Sequence, residues 1–211
     1  MTRFLTEART SAFLLASAAT FIGVAVAVLL GVRLCLTPSI PLGVYQTVEG
    51  AAPAPGVVVM VCLTEPTASL AAKRGYIARG RPTQTGDGCP DGLEPLGKRV
   101  LANGGDTVAV ADRGLAVNGR PVPRTARLPR DSYGRPLPLY PAGVYVVHAG
   151  DLWVVATDSR RSFDSRYFGP LPKRNVLAVL RPILTWEQGA VLPAFRSEWG
   201  PLATRQPESG R

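Results

Sequence analysis

The 211-residue chain holds a single histidine, His148, and only three cysteines, Cys35, Cys62 and Cys89. No C-x-x-C, H-E-x-x-H or EF-hand spacing is present, which excludes the common metal-binding patterns, and neither a metal nor any other cofactor is expected. Runs of like charge are also missing: the formal net charge of +9 comes mainly from arginines scattered from Arg33 to Arg211, without aromatic interleaving. That excludes a basic tail or stripe, so no nucleic-acid partner is expected. The same charge serves a solvated surface or attraction to anionic lipid. A helix-bundle composition is lacking too. With 22 Gly and 20 Pro beside 46% hydrophobic residues, the chain suits a turn-rich β protein, because both residues interrupt helices. The length allows one core of about 150 residues plus accessories and leaves little room for a second.

One absence is local. Residues 1–10 are largely polar, carrying Arg3 and Arg9 against Glu7, and then no charge appears from Thr10 to Val32. At 1.5 Å per residue those roughly 22 residues reach about 33 Å, enough for a hydrocarbon core of about 30 Å. The expectation is a cytoplasmic N-terminus over 1–10 and a transmembrane anchor over 11–34. A cleaved signal peptide is the competing reading, but the run is longer than a usual apolar h-region and no convincing small-x-small site follows. A lipoprotein site at Cys35 is disfavoured by Leu34 before it. Arg3 and Arg9 on one side face Arg33 on the other, so charge alone does not orient the span.

Beyond the anchor the chain alternates short apolar, β-branched segments with turns. Strands are expected at Gly43 to Val48, Val57 to Leu63 and Leu96 to Ala102, the first two as close neighbours. Thr107 to Ala111 and Leu115 to Val117 read as a hairpin, and Asn118-Gly119 is a strong type I′ turn signal. A further hairpin is expected from Val144 to His148 and Leu152 to Ala156, with Val176 to Thr185 closing the β region. An insert over 64–95 is poorly hydrophobic and rich in Gly, Pro, Thr and Arg; a loop so long with little structure needs a staple or a function. Cys62 and Cys89 bracket most of it. A bridge between them would close about 27 residues, worth on the order of 3 kcal/mol, and would place the domain in an oxidising compartment. Two unrelated thiols are the alternative. Residues 187–211 read as a flexible C-terminal tail.

Three stretches carry chemistry. Thr37-Pro38-Ser39-Ile40-Pro41-Leu42-Gly43 presents one hydroxyl on a backbone stiffened by two prolines. Lys98 lies between Leu96 and Val100, whose side chains share its strand face, with Arg99 turned to the other. A serine needs a base to take its proton, and a lysine serves only when neutral, as about one in 2,500 is at pH 7 unless desolvation lowers its pKa. The third stretch runs from Asp158 through Ser162, Asp164 and Arg166 to Pro170.

In order and spacing these stretches resemble the signature boxes of the membrane-bound Ser/Lys signal peptidases, most closely the conjugative-transfer, TraF-like branch, from the anchor to about Trp186. The resemblance implies a mostly β, LexA/leader-peptidase-type catalytic domain over 35–186 behind one N-terminal transmembrane helix, on the outer face of the cytoplasmic membrane. It implies Ser39 as nucleophile and Lys98 as general base. Thr37 would help the Ser39 backbone N–H form the oxyanion hole, and Ser162 would orient the lysine. Asp164 and Arg166 look like a structural charge pair, and Tyr167 and Phe168 like core. Ile40 and Pro41 follow the nucleophile directly, as in the transfer branch. The usual Pro-Gly-Asp turn is here Gly104-Gly105-Asp106, and the third box opens Thr157-Asp158-Ser159-Arg160. The cysteine-bracketed insert is also similar to the transfer branch.

The implied partners are a pilin or other exported precursor protein, membrane lipid, and other proteins of a conjugation apparatus. The implied reaction is leader cleavage through an acyl-enzyme, with pilin cyclisation as a second outcome. A housekeeping leader peptidase and a catalytically silent membrane-anchored scaffold are the rivals. A Ser/His/Asp hydrolase using His148 lacks the G-x-S-x-G elbow.

Overall fold

A computed structural model describes residues 2–80 and 88–186; segment 81–87 of the insert and the expected tail from Glu187 lie outside the described residues. The apolar N-terminal run forms one helix, α1 (Thr2–Leu29), whose side chains are described from Phe13 onward. Among the described residues no helix is long and apolar enough to cross a membrane. From Phe13 to Leu30 the large apolar side chains of this segment are exposed, Phe21 at 77% and Leu29 at 85%. The helix stops before the expected end of the anchor at residue 34. Gly31 takes a left-handed φ of +74°, a conformation that costs glycine little, and the chain turns at once into β1 (Val32–Cys35).

The remaining strands are β2 (Leu42–Val48), β3 (Val58–Val61), β4 (Leu96–Asn103), β5 (Thr107–Ala111), β6 (Gly114–Val117), β7 (Arg120–Pro121), β8 (Gly143–Val146), β9 (Asp151–Val155), β10 (Leu171–Pro172) and β11 (Val176–Trp186). They build two antiparallel sheets, seven-stranded in the order β1-β2-β11-β3-β4-β9-β10 and four-stranded in the order β7-β6-β5-β8. The mostly β expectation holds, and the β5–β6 hairpin stands as read. At the β6–β7 turn, Asn118 and Gly119 both adopt positive φ, 50° and 79°, as a type I′ turn requires.

Three local expectations need correction. First, β2 and β3 are not neighbours, because the eleven-residue β11 lies between them and pairs with both. Second, β8 and β9 do not form a hairpin: β8 pairs with β5, while β9 pairs with β4 and β10. The Gly104 turn makes this crossing possible, since a Cβ there would stand 2.5 Å from the Ala149 Cα. Third, the insert is not structureless. It contains α2 (Thr67–Lys73), and its Ala68, Ala71, Ile77 and Leu93 are buried in one core with Val59, Val61, Val100, Val154 and Phe163. Small alanines at helical spacing and isolated Ile and Leu give a weak hydrophobic signal in sequence, yet they suffice to fill one side of a core. Cys62 and Cys89 are disulfide-bonded with their Cα atoms 5.5 Å apart. Cys35 is free and half-buried.

Candidate active site

Ser39 sits on the short loop between β1 and β2, and three features hold that loop. Ile40 is 1% exposed and packs with Tyr45, Val58 and Leu180. The Tyr45 hydroxyl donates to the Pro41 carbonyl at 2.7 Å, and burial pushes its pKa up to about 12. Gly97 leaves room, because a Cβ there would come within 3.3 Å of Ile40 Cδ1. Sequence reading found Ile40 but missed Tyr45 and Gly97. Their signal, a tyrosine on the strand leaving the serine loop and a glycine before the lysine, means nothing until β2 and β4 are brought to that loop.

Lys98 lies on β4 opposite Val59 of β3 and is 2% exposed, while its neighbour Arg99 turns the other way and donates to the Gly56 carbonyl. The Lys98 Nζ lies 2.8 Å from Ser39 Oγ and 2.7 Å from Ser162 Oγ, and the two hydroxyls are 3.2 Å apart. Residues separated by 59 and 64 positions thus converge on one nitrogen. Burial drives the lysine pKa from 10.5 down to about 8, against the opposing pull of the Asp164 carboxylate and with some help from the Arg166 charge. At that value about one lysine in ten is neutral at pH 7, a gain of more than two orders of magnitude over a free lysine.

The third box folds around a buried ion pair. Asp164 caps α3 (Ser165–Phe168), accepting from the Arg166 backbone N–H at 3.2 Å. Its other partners are the Ala156 N–H and the Arg166 guanidinium, the latter through both carboxylate oxygens at 2.8 Å. Both side chains are 0% exposed. Arg166 also donates to the carbonyls of Ser162, Arg160 and Ala126. The pair therefore grips the backbone that carries Ser162. Tyr167 is buried, stacked on Phe163, and Phe168 packs partly against the same core.

Thr37 is exposed, and its hydroxyl lies 3.7 Å from Cys35 Sγ. His148 is exposed on the β8–β9 connection, where its carbonyl accepts from Asp151. Among the described residues no cluster of three or more His, Cys, Asp or Glu could hold a metal.

The family model for "Signal peptidase, peptidase S26" matches residues 6–186. The chain is 37% identical over 187 residues to a plasmid transfer protein TraF of Escherichia coli, an alignment that covers 88% of this chain and 97% of that one. It is 32% identical over 139 residues to signal peptidase I of Mycobacterium tuberculosis, covering 58% of this chain and 44% of the relative. A crystal structure of a signal peptidase I from Enterococcus faecalis aligns over 62% of this chain and 98% of its own at 20% identity, with a TM-score of 0.36, too loose a likeness to support an argument. A match spanning nearly the whole chain, from Thr6 past the third box to Trp186, assigns this protein to the signal peptidase family of serine peptidases.

Proposed function

We propose that the chain is a membrane-anchored serine endopeptidase that processes an exported precursor, in the first place a pilin precursor for conjugative transfer. The observation that carries this reading is the buried Lys98 Nζ at hydrogen-bond distance from both Ser39 Oγ and Ser162 Oγ. In the neutral amine the hydrogen bond reverses, so that the Ser39 hydroxyl donates to Nζ. Ser39 Oγ then attacks a peptide carbonyl beside a small residue, and its proton passes to Lys98. The Ser39 backbone N–H, assisted by the Thr37 hydroxyl, stabilises the oxyanion. The Lys98 ammonium returns the proton to the leaving amine, and an acyl-enzyme remains on Ser39. Water releases the product, or an amine of the substrate attacks and closes a cyclic pilin. The relatives named for plasmid and conjugal transfer support a conjugation apparatus as the setting and its proteins as partners.

A silent scaffold would keep the anchor and the β core but would have no use for a charged lysine that burial disfavours. The test is conversion of pilin precursor in cells that carry wild type or Ser39→Ala at equal level. Wild type is expected to give a shortened product whose mass reports hydrolysis or, 18 Da lighter by loss of water (about the mass of one water, as amide closure requires), cyclisation. Ser39→Ala should accumulate precursor. Equal conversion by both would discard the peptidase reading.

The proposed layout is a cytoplasmic segment over 1–10, an anchor over 11–34, a catalytic domain over 35–186 on the outer face of the cytoplasmic membrane, and a tail over 187–211. The exposed apolar surface of α1 supports it, and that surface continues onto the sheet beside Ser39. Leu34, Leu36, Ile183, Leu184 and Trp186 are all about half or more exposed, and Leu34 and Leu184 flank Val44 in adjacent strands. A patch of this kind next to an apolar helix fits a lipid surface. The disulfide supports the outer face. Inner membranes washed with alkaline carbonate are expected to retain the full chain, and protease added to spheroplasts to digest its domain. Recovery in the wash, or protection in spheroplasts, would reverse the layout.

A further inference from the structure

The insert meets the catalytic loop at Phe163, which shares a core with Ala68, Ala71, Ile77 and Leu93. Tyr76, just after α2, packs its ring against Phe163 at 5.0 Å between centroids, and Phe163 is the residue after Ser162. The Tyr76 hydroxyl donates to Asp131 at 2.6 Å. Asp131 in turn accepts from the Arg135 side chain, whose guanidinium lies over the Tyr76 ring at 5.6 Å. On the other side of Ser162, Arg161 donates to Ser132, the neighbour of Asp131. Both residues that flank Ser162 therefore lean on one cluster, and Tyr76 joins that cluster to the disulfide-closed insert beside Arg74, whose carbonyl accepts from Arg135 and whose guanidinium donates to the Pro136 carbonyl.

Resting on the Ser39/Lys98 reading, we propose that Tyr76 is a positioning residue: it forms the back wall of the Ser162 loop and so fixes the hydroxyl that orients Lys98. The Arg166 contacts restrain the Ser162 carbonyl from one side, and from the other Phe163 packs on Tyr76 and the insert core, beside its contacts with Tyr167 and Phe168. Loss of the wall lets the loop swing and water reach Nζ. Desolvation then relaxes, although the Asp164, Arg166 and Cys35 charges that act on Lys98 stay in place.

The chain has just three lysines, Lys73, Lys98 and Lys173, so labelled lysine side chains of the full chain in detergent give few resonances, and Lys98→Met assigns one of them. In wild type that resonance should titrate near 8. In Tyr76→Ala it is expected about one unit higher, with kcat on pilin precursor down about tenfold and KM within about twofold. Tyr76→Phe keeps the ring and should stay within about threefold of wild type. Should Tyr76→Ala fail to fold, Tyr76→Leu, which keeps apolar volume without the ring, carries the same expectation at smaller amplitude. An unmoved Lys98 titration in a folded variant overturns the inference. Ser39→Ala in the same assay separates the two ideas: precursor conversion by Ser39→Ala would remove the peptidase reading, while the titration needs no substrate and judges Tyr76 by itself.

Discussion

Lys98→Met is expected to cut turnover by about 10⁴-fold or more and, at the same time, to make the folded chain more stable by about 3 kcal/mol at pH 7. Both effects come from one cause. Burial holds the lysine pKa near 8 in the folded chain, whereas an unfolded chain returns it to about 10.4. Below pH 8 both states carry the proton, and the folded state bears the full cost of a buried ammonium. Between about 8 and 10.4 the unfolded chain binds more protons than the folded one, so wild-type stability rises with pH across that window. Above it the cost has gone. The stability gap between Lys98→Met and wild type should therefore be widest at pH 7 and close by about pH 10.5, apart from differences in packing. Denaturant titrations of both proteins at the two pH values measure it. On the proposed mechanism, in which only the neutral amine takes the Ser39 proton, the same pKa is expected to set the ascending limb of kcat/KM in wild type near pH 8. A methionine variant no more stable than wild type at pH 7 would mean that Lys98 is hydrated, and the argument for its role as base would lose its footing.

Asp164→Asn is expected to be the most destabilising single change in the domain, costing about 3–5 kcal/mol, because it leaves the Arg166 charge buried without a counter-ion. All four donors to the carboxylate are affected: the Ala156 N–H, the Arg166 N–H, and the Arg166 Nε and Nη2. Two of these hold together the end of β9 and the start of α3, the two segments between which the Ser162 loop is strung. Activity should fall further than the folded fraction accounts for, since Ser162 loses its backbone restraint along with the pair. Asp164→Ala combined with Arg166→Met removes both charges and should recover part of the stability. Denaturant midpoints of the single and double variants, at matched m-values, decide it. A single variant within about 1 kcal/mol of wild type would show that the pair adds nothing net.

Much of the site was legible because it depends on local pattern. Two prolines around Ser39, an apolar strand face around Lys98 and the Asp-x-Arg spacing of Asp164 and Arg166 each state a geometry within a few residues. Pairing of Cys62 with Cys89 was legible for a similar reason, a long insert with a cysteine near each end. Other features were not. Nothing near Gly97 in sequence says that Ile40 will press on it, and nothing near Tyr76 says that Phe163 will. The neighbour of β2 was misread because β11 is more than 120 residues away along the chain, and sequence adjacency suggested β3 instead. The β8–β9 connection looked like a hairpin because Gly150-Asp151 is a good turn, yet its two strands belong to different sheets.

The sequence by itself determined the apolar N-terminal run, the β-rich character of the rest and the identity of the three chemical stretches, because each is written in composition, periodicity or spacing over a short window. Only the tertiary structure decided that Ser39, Lys98 and Ser162 meet at 2.7 to 3.2 Å and that the insert walls the loop behind them. The lysine's lowered pKa belongs to the same class. It arises from the absence of water around Nζ, and that absence is made by strands, a helix and a loop drawn from distant parts of the chain.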